Sequence, residues 1–249
     1  MSLLAKLRPV PVRAAGSRTD PAPARAPGQP LHAPPVRQAA QQAAAEPAHA
    51  GRFSNGLKEF LWHLDGVGRG QLLDLGQISQ ATVNFFIERG FKVYSEDFVR
   101  SWQVFIRGEE EALQRLPAEA KRPDVSAGAQ TERFLEGNLG HGPDSFDAIL
   151  LWDLLDYLDK DAVARVVGRV SRMLRDGGAI FAIFHTRLPE AFHRYRVLDG
   201  VNLEIVPAPA ILRPQHVYQN REIQVLFERF RSSKAFVGRD QLREAVFVK

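Results

Sequence analysis

The residues best suited to ligand chemistry follow a short apolar run, Leu73-Asp74-Leu75-Gly76. A helical pattern comes next, and Val93-Tyr94-Ser95 then leads into Glu96 and Asp97. This order predicts a strand, a glycine turn, a helix and a second strand that ends in acids. In open α/β sheets such a turn admits a nucleotide-like ligand, and the acid reaches its ribose hydroxyls. Gly76 and Asp97 are 21 positions apart, close to the spacing of about 20 expected for that acid.

Two acids at the end of the second strand, Glu96 and Asp97, are candidates for binding the ribose hydroxyls. Asp97 is the main candidate for the ribose, because a carboxylate can accept hydrogen bonds from both hydroxyls. The alternative for Asp97 is an acid that stabilises a helix N-terminus. Glu96 takes the ribose role if the strand register shifts by one residue, since that shift reverses which side chain faces the ligand.

Other catalytic groups are sparse in this sequence. His185 ends a predicted strand and is a candidate general base, because histidine titrates near neutral pH; the alternative is a hydrogen-bonded structural histidine. The seven histidines lack metal-ligand spacing, and the absence of cysteine excludes thiolate metal sites, disulfides and cysteine nucleophiles. The sequence has no G-x-S-x-G elbow and no P-loop.

The elements that must position these residues read as alternating strands and helices. Residues 146–152 and 179–184 are continuous apolar runs, typical of parallel strands covered by helices on both faces. Amphipathic helices precede and separate them, which predicts a doubly wound sheet with right-handed crossovers. Residues 234–238 and 244–248 add a final antiparallel hairpin. A second hairpin, turning at Asp199-Gly200, lies in a segment of about 189–214 that we interpret as a lid or recognition insert.

Composition divides the chain into a tail and a domain. Residues 1–50 hold nine of the 16 prolines, and six basic residues against two acids. They lack a periodic apolar pattern and are predicted to be a disordered tail, with residues 51–249 forming the domain. Since the remaining 199 residues are formally neutral, the domain lacks the basic face expected of a nucleic-acid-binding protein. With no membrane-length apolar run and no cysteine, the expected location is cytoplasmic; the oligomeric state is left open.

Four stretches together resemble the class I S-adenosylmethionine-dependent methyltransferases over roughly residues 55–249. They are the first strand and glycine turn at 72–76, the acids Glu96 and Asp97, the run 144–150 into the fourth strand, and the Asp-Gly-Gly turn within 174–178. The resemblance implies a Rossmann-like methyltransferase fold, with a mostly parallel seven-stranded sheet and a C-terminal antiparallel hairpin.

The same resemblance implies methyl transfer from S-adenosylmethionine to a small-molecule or protein acceptor. In that family Asp74 would anchor the turn or meet the ammonium of the cofactor, Trp152 would pack against the sulfonium, and Asn138 or Glu136 would bind the adenine amino group. The implied cofactor-binding residues are Asp74, Gly76, Gln77, Glu96, Asp97, Asn138, Trp152 and Asp153.

The chain departs from the family pattern at the glycine turn. The family's motif continues as G-x-G-x-G, whereas Ile78 and Gln80 stand where the second and third glycines would be. Side chains there are expected to crowd the methionine portion of the cofactor. The alternative to an enzyme is therefore a non-catalytic binding or scaffold protein on a degenerate methyltransferase fold.

Overall fold

The computed structural model describes residues 51–117 and 119–249, which lie in one compact unit, Pro47–Lys249. The tail predicted for residues 1–50 lies outside the described residues, and the domain boundary near residue 51 stays a prediction. In chain order the elements are β1 (Arg52–Phe53), α1 (Asn55–His63), β2 (Gln71–Asp74), α2 (Gln80–Glu88), β3 (Lys92–Ser95), α3 (Phe98–Arg115), α4 (Ala127–Asn138), β4 (Phe146–Trp152), α5 (Lys160–Met173), β5 (Leu174–His185), β6 (Phe192–Val197), β7 (Asn202–Ala208), α6 (Asn220–Leu226), β8 (Ser232–Val237) and β9 (Leu242–Val248).

The main sheet has the strand order β3-β2-β4-β5-β9-β8. Strands β3, β2, β4 and β5 run parallel, and β9 is antiparallel to both β5 and β8. A separate antiparallel sheet has the order β1-β7-β6. The predicted fold class, a doubly wound α/β sheet of the Rossmann-like methyltransferase type with a C-terminal antiparallel hairpin, is confirmed.

The strand count differs from the expected seven, because the described main sheet has six strands. Between β3 and β4 the chain forms α3 and α4 and contributes no strand to the described sheet. The sequence of α3 is rich in helix-forming Glu, Arg and Gln, and the helix continues through Gly108 without interruption. Helix α4 is not among the elements that the sequence patterns predict.

The strands carry one apolar cluster on each face of the sheet, since alternate side chains of a strand point to opposite sides. Leu73, Ile149 and Leu151 pack with residues of α4 and α5, whereas Leu72 and Leu150 pack with the aromatic residues of α1 and α2. This two-sided burial explains why the β4 sequence is apolar almost throughout.

Local interactions fix the ends of helices α2 and α6. Ser79 caps α2, and its hydroxyl accepts a hydrogen bond from the Thr82 amide at 3.5 Å. Gly90 closes the same helix with a φ of +86°, a conformation that glycine adopts without strain. Helix α6 begins after Gln219, and Glu222 completes its capping box.

The predicted hairpin at Asp199-Gly200 is present as β6 and β7. The Asp199 carboxylate accepts hydrogen bonds from the amides of Val201 and Asn202 at 2.8 and 2.9 Å, which closes the turn. The interpretation of residues 189–214 as a lid or recognition insert stays a prediction. Within the described part of the chain, no helix is long and apolar enough to cross a membrane.

A close approach at Gly56 joins α1 to the sheet and gives a stability prediction. A Cβ at Gly56 would lie 2.6 Å from the Glu244 Cβ and 2.8 Å from the Phe181 ring, and both neighbours are buried. Gly56→Ala should therefore lower the free energy of unfolding by about 1–3 kcal/mol. The matched control is Gly168→Ala in α5, where a Cβ meets nothing within 4 Å; it should raise stability by about 0.5–1 kcal/mol. Urea unfolding of both variants checks this, and equal effects would contradict it.

Candidate functional site

The carboxyl ends of β2 and β4 bring the predicted cofactor residues together. These two strands are neighbours, with Asp74 paired in register to Leu150. Strand β2 ends at Asp74 before the Gly76 turn, and β4 ends at Trp152 before Asp153. In doubly wound folds this is the edge where ligands bind.

Asp74 is a buried carboxylate whose contacts are all internal. It is 1% exposed, and its Oδ1 accepts hydrogen bonds from the Gly76 amide at 2.9 Å and from the Trp152 indole at 2.7 Å. Burial raises the pKa of Asp74 to about 6, and the nearby negative charge of Asp97 acts in the same direction. Asp74 thus anchors the turn, one of the roles predicted for it.

Trp152 lies directly on the glycine turn. A Cβ at Gly76 would lie only 2.3 Å from the indole Cδ1 and 2.5 Å from Nε1, so this turn tolerates no larger residue. The indole stacks on Tyr195 with ring centres 5.5 Å apart and planes 6° from parallel. Trp152 itself has a φ of +51°, unusual for a bulky residue. The glycine at position 76 therefore accommodates an indole ring of the same chain.

Asp153 holds the second ring of this stack. Its Oδ2 accepts a hydrogen bond from the Tyr195 hydroxyl at 2.9 Å, and both side chains are buried. Burial raises the pKa of Asp153 to about 7 and that of Tyr195 well above its ordinary value. Tyr195 was not anticipated from the sequence, because it lies on β6, 43 residues after Trp152, and no spacing rule links the two positions.

The space left at the turn is too small for an adenosyl cofactor. A cavity of about 20 Å³ remains beside Gly76, Asp97, Trp152 and Tyr195. A single water needs about 10–15 Å³ measured in this way, whereas sites for drug-sized ligands measure about 300–1,000 Å³. At the turn itself the residues leave no room for S-adenosylmethionine, whereas an adjoining open groove of about 410 Å³ shares Gln77 and Asp97 with this cavity.

Asp97 borders the small cavity at the turn, whereas Glu96 does not. Asp97 caps α3, with its Oδ1 accepting a hydrogen bond from the Arg100 amide at 3.2 Å. This is the alternative role considered for Asp97; its ribose role stays a prediction. Asp97 also borders an open groove of about 410 Å³ with Gln77 and Ile78. Glu96 is half-buried, and its amide donates to the Asp74 carbonyl at 2.8 Å.

Other predicted residues lie away from the cavity. Ile78 is 67% exposed, and the side chain of Gln80 forms a hydrogen bond with Asn84 at 2.6 Å. The side chain that crowds the glycine turn is therefore Trp152 and not Ile78 or Gln80. Asn138 ends α4, and its amide group donates to the Phe134 carbonyl of the same helix at 2.9 Å. Neither Asn138 nor Glu136 borders the cavity at Gly76, and their adenine-binding role stays a prediction.

His185 ends β5 and pairs with Asp156, a residue that the sequence analysis did not single out. Asp156 Oδ2 accepts hydrogen bonds from the His185 amide at 2.7 Å and from its Nδ1 at 2.9 Å. Burial raises the pKa of Asp156. Asp156 lies four residues after the end of β4 and 29 residues before His185. No sequence pattern links two residues placed in this way.

Comparisons with known proteins return methyltransferases among solved structures. No family model and no curated protein matches the chain. The 1,6-didemethyltoxoflavin-N1-methyltransferase of Burkholderia thailandensis, solved with 1,6-didemethyltoxoflavin and S-adenosylhomocysteine, is 16% identical, with 77% of this chain and 74% of that chain covered and a TM-score of 0.39. The glycopeptide N-methyltransferase MtfA, complexed with S-adenosylmethionine, is 16% identical (81% and 97% covered, TM-score 0.37). A methyltransferase from Mesorhizobium loti is 14% identical (77% and 96% covered, TM-score 0.42).

The buried carboxylate at the turn predicts a pH-dependent stability. Because its folded pKa of about 6 lies above the ordinary value of 3.8, the contribution of Asp74 is fully present below about pH 4 and is lost as the pH rises through about 6. Asp74→Asn keeps an oxygen that accepts both N–H groups and removes the charge. It should raise the free energy of unfolding by up to about 3 kcal/mol at pH 8 and have little effect at pH 4.

Urea unfolding at both pH values tests this prediction for Asp74→Asn, with Glu88→Gln at an exposed position as the control. A gain no larger at pH 8 than at pH 4 would refute it.

Proposed function

We propose that this chain is a non-catalytic binding domain on a methyltransferase-like fold, with its adenosyl crevice closed by its own side chains. The observation that carries the proposal is the Trp152 indole, which lies against Gly76 and leaves a cavity of about 20 Å³. Function has to be argued from the site rather than from the fold, because one fold serves many activities.

The energy needed to open the crevice supports this choice. Moving the indole away breaks a hydrogen bond to a charged or polarised buried acceptor, worth about 1.5–3 kcal/mol. It also breaks the stack on Tyr195, worth about 0.5–1.5 kcal/mol. A cost of about 2–4.5 kcal/mol would weaken the binding of any ligand that needs the open state by about 30-fold to 2,000-fold. The segment proposed as a lid, residues 189–214, contributes to the closure through Tyr195.

Methyl transfer from S-adenosylmethionine to a small-molecule or protein acceptor is the second candidate. It is favoured by the strand order of the main sheet and by Asp97, which lies at the carboxyl edge beside the open groove formed with Gln77. This candidate requires Trp152 to leave the turn, so that the carboxylate of Asp74 exchanges its indole partner for another donor.

Titration calorimetry and thermal unfolding with S-adenosylhomocysteine separate the two candidates. The wild-type protein should show neither heat of binding nor a rise in melting temperature at about 1 mM ligand. At this concentration, ligands whose binding free energy is somewhat weaker than about −5 kcal/mol are still detected. Trp152→Ala, which removes the obstructing ring, should give a measurable ligand-dependent rise. Trp62→Ala, at an indole that is 67% exposed, is the matched control and should behave as the wild type.

A dissociation constant below about 100 μM for the wild-type protein would refute the binding-domain proposal and favour methyl transfer.

Two substitutions at Asp97 distinguish its cap from a ligand contact. Asp97→Ala removes the hydrogen bond to the Arg100 amide and should lower stability by about 0.5–2 kcal/mol, whereas Asp97→Ser keeps a capping oxygen and should lower it much less. If the second candidate is correct, both variants lose the carboxylate and weaken nucleoside binding by about 1–3 kcal/mol. Urea unfolding and calorimetry measure the two effects, and equal stability of the two variants would contradict the capping role.

A further inference from the structure

A second cavity lies at the carboxyl end of β5, outside the closed crevice. It measures about 350 Å³ and is bordered by His185, Arg187, Glu190, His193 and Asp240, together with apolar side chains that include Leu188 and Ile205. This volume is within the range of sites that bind small organic molecules. His193 also borders the small cavity at Gly76, so it separates the two spaces.

The imidazole of His185 is held in one orientation by Asp156. The same carboxylate oxygen accepts hydrogen bonds from the backbone and from Nδ1 of His185, at 2.7 and 2.9 Å. Because Nδ1 faces a carboxylate, it carries the proton, and Nε2 of the neutral ring is then a hydrogen-bond acceptor. Among the hydrogen bonds of the described residues, none engages Nε2 of His185.

Asp156 is itself fixed from the other side. Its carbonyl accepts hydrogen bonds from the amides of Gln215 and His216 at 2.7 and 3.3 Å, and the residue is 1% exposed. Three buried polar atoms nearby make no hydrogen bond to the described residues: Asp156 Oδ1, Tyr157 Oη and His193 Nδ1. Of these three residues, His193 borders the cavity and Asp156 and Tyr157 do not. Buried polar atoms normally have partners, so the atoms of Asp156 and Tyr157 are suited to ordered water.

The charges around the cavity favour an anion at one position. Arg187 is exposed, and within the described residues it forms no ion pair, so its guanidinium is available for a ligand. Asp240 shares the guanidinium of Arg52 with the Glu244 carboxylate, so its negative charge is partly offset and acts, like that of Glu190, against an anion. Glu190 is exposed and opposes this preference from the rim. A planar guanidinium binds a carboxylate through two parallel hydrogen bonds.

We propose that this cavity binds a small carboxylic acid that has an apolar body and a hydroxyl group. Arg187 pairs with the carboxylate, His185 Nε2 accepts the hydrogen bond of the hydroxyl, and Leu188 and Ile205 contact the apolar part. Asp156 is a positioning residue that keeps His185 in the accepting tautomer. The site goes beyond the proposed function, because the cavity exists whether or not the crevice admits a nucleoside.

The test uses the full chain and three probes of similar size, measured by calorimetry and by thermal unfolding. 3-Phenyllactate carries both polar groups, 3-phenylpropionate lacks the hydroxyl, and 3-phenyl-1,2-propanediol lacks the carboxylate. 3-Phenyllactate should bind with a dissociation constant of about 1 mM or lower, and the other two probes about tenfold more weakly.

Variants assign the roles of the two polar contacts. Arg187→Gln should weaken 3-phenyllactate binding about tenfold. Arg107→Gln, an exposed arginine on α3, is the matched control and should leave binding unchanged. Asp156→Asn keeps an oxygen that can accept both N–H groups of His185 and should keep the preference for 3-phenyllactate over 3-phenylpropionate. Asp156→Ala removes that acceptor and should abolish the preference while the weaker probe still binds. The ¹⁵N resonances of His185 should then show that the Nδ1–H tautomer is lost. A merely structural role of Asp156 would not link this change of tautomer to the loss of selectivity.

The proposal is overturned if 3-phenyllactate gives no saturable response up to about 20 mM, if Arg187→Gln and Arg107→Gln bind it equally, or if Asp156→Ala keeps the full preference for the hydroxyl. None of the probes contains a nucleoside, so these results are independent of the test with S-adenosylhomocysteine.

Discussion

The hydrogen bond between the Trp152 indole and the buried Asp74 carboxylate is the contact on which the arrangement of the crevice depends. A carboxylate that is 1% exposed needs donors close by, and Oδ1 obtains two, from the Gly76 amide and from the indole. The position of the indole then requires both a glycine at 76 and the positive φ at Trp152. In an open crevice, a ligand or water would serve these donors and acceptors. Here the chain satisfies them itself, so the polar contacts that would attract a cofactor are already used.

The three-stranded sheet reinforces this closure. Tyr195 of β6 stacks on Trp152 and donates to Asp153, and the neighbouring Val197 amide donates to the buried Thr82 hydroxyl of α2 at 3.0 Å. On the other side of the same small sheet, Arg52 of β1 pairs with Glu244 of β9. The Trp152 and Tyr195 rings form one stack. Opening the crevice would therefore disturb contacts of β6 in addition to changing the rotamer of one side chain.

Sequence patterns predicted the parts of this molecule that depend on neighbouring residues. The apolar run of β4 and the turn at Asp199 both follow from residues within a few positions of each other, and the structure has both. Helix α4 was missed because its apolar residues are few. The obstruction at Gly76 could not be read from Ile78 or Gln80, since the residue that fills the space is 76 positions away and meets the turn only through the pairing of β2 with β4. Pairs such as His185 and Asp156 are hidden for the same reason.

The turn that follows β4 divides the carboxyl edge of the sheet between these two environments. Trp152, the last residue of β4, and Asp153 face β2 and β6 and complete a packed aromatic stack, whereas Asp156 faces β5 and orients His185. One short segment therefore fills the space at the glycine turn and prepares a polar group beside an open cavity of about 350 Å³. Because ligand binding needs space as well as polar groups, recognition at this edge is left to the open groove beside Gln77 and Asp97 and to the cavity beside His185.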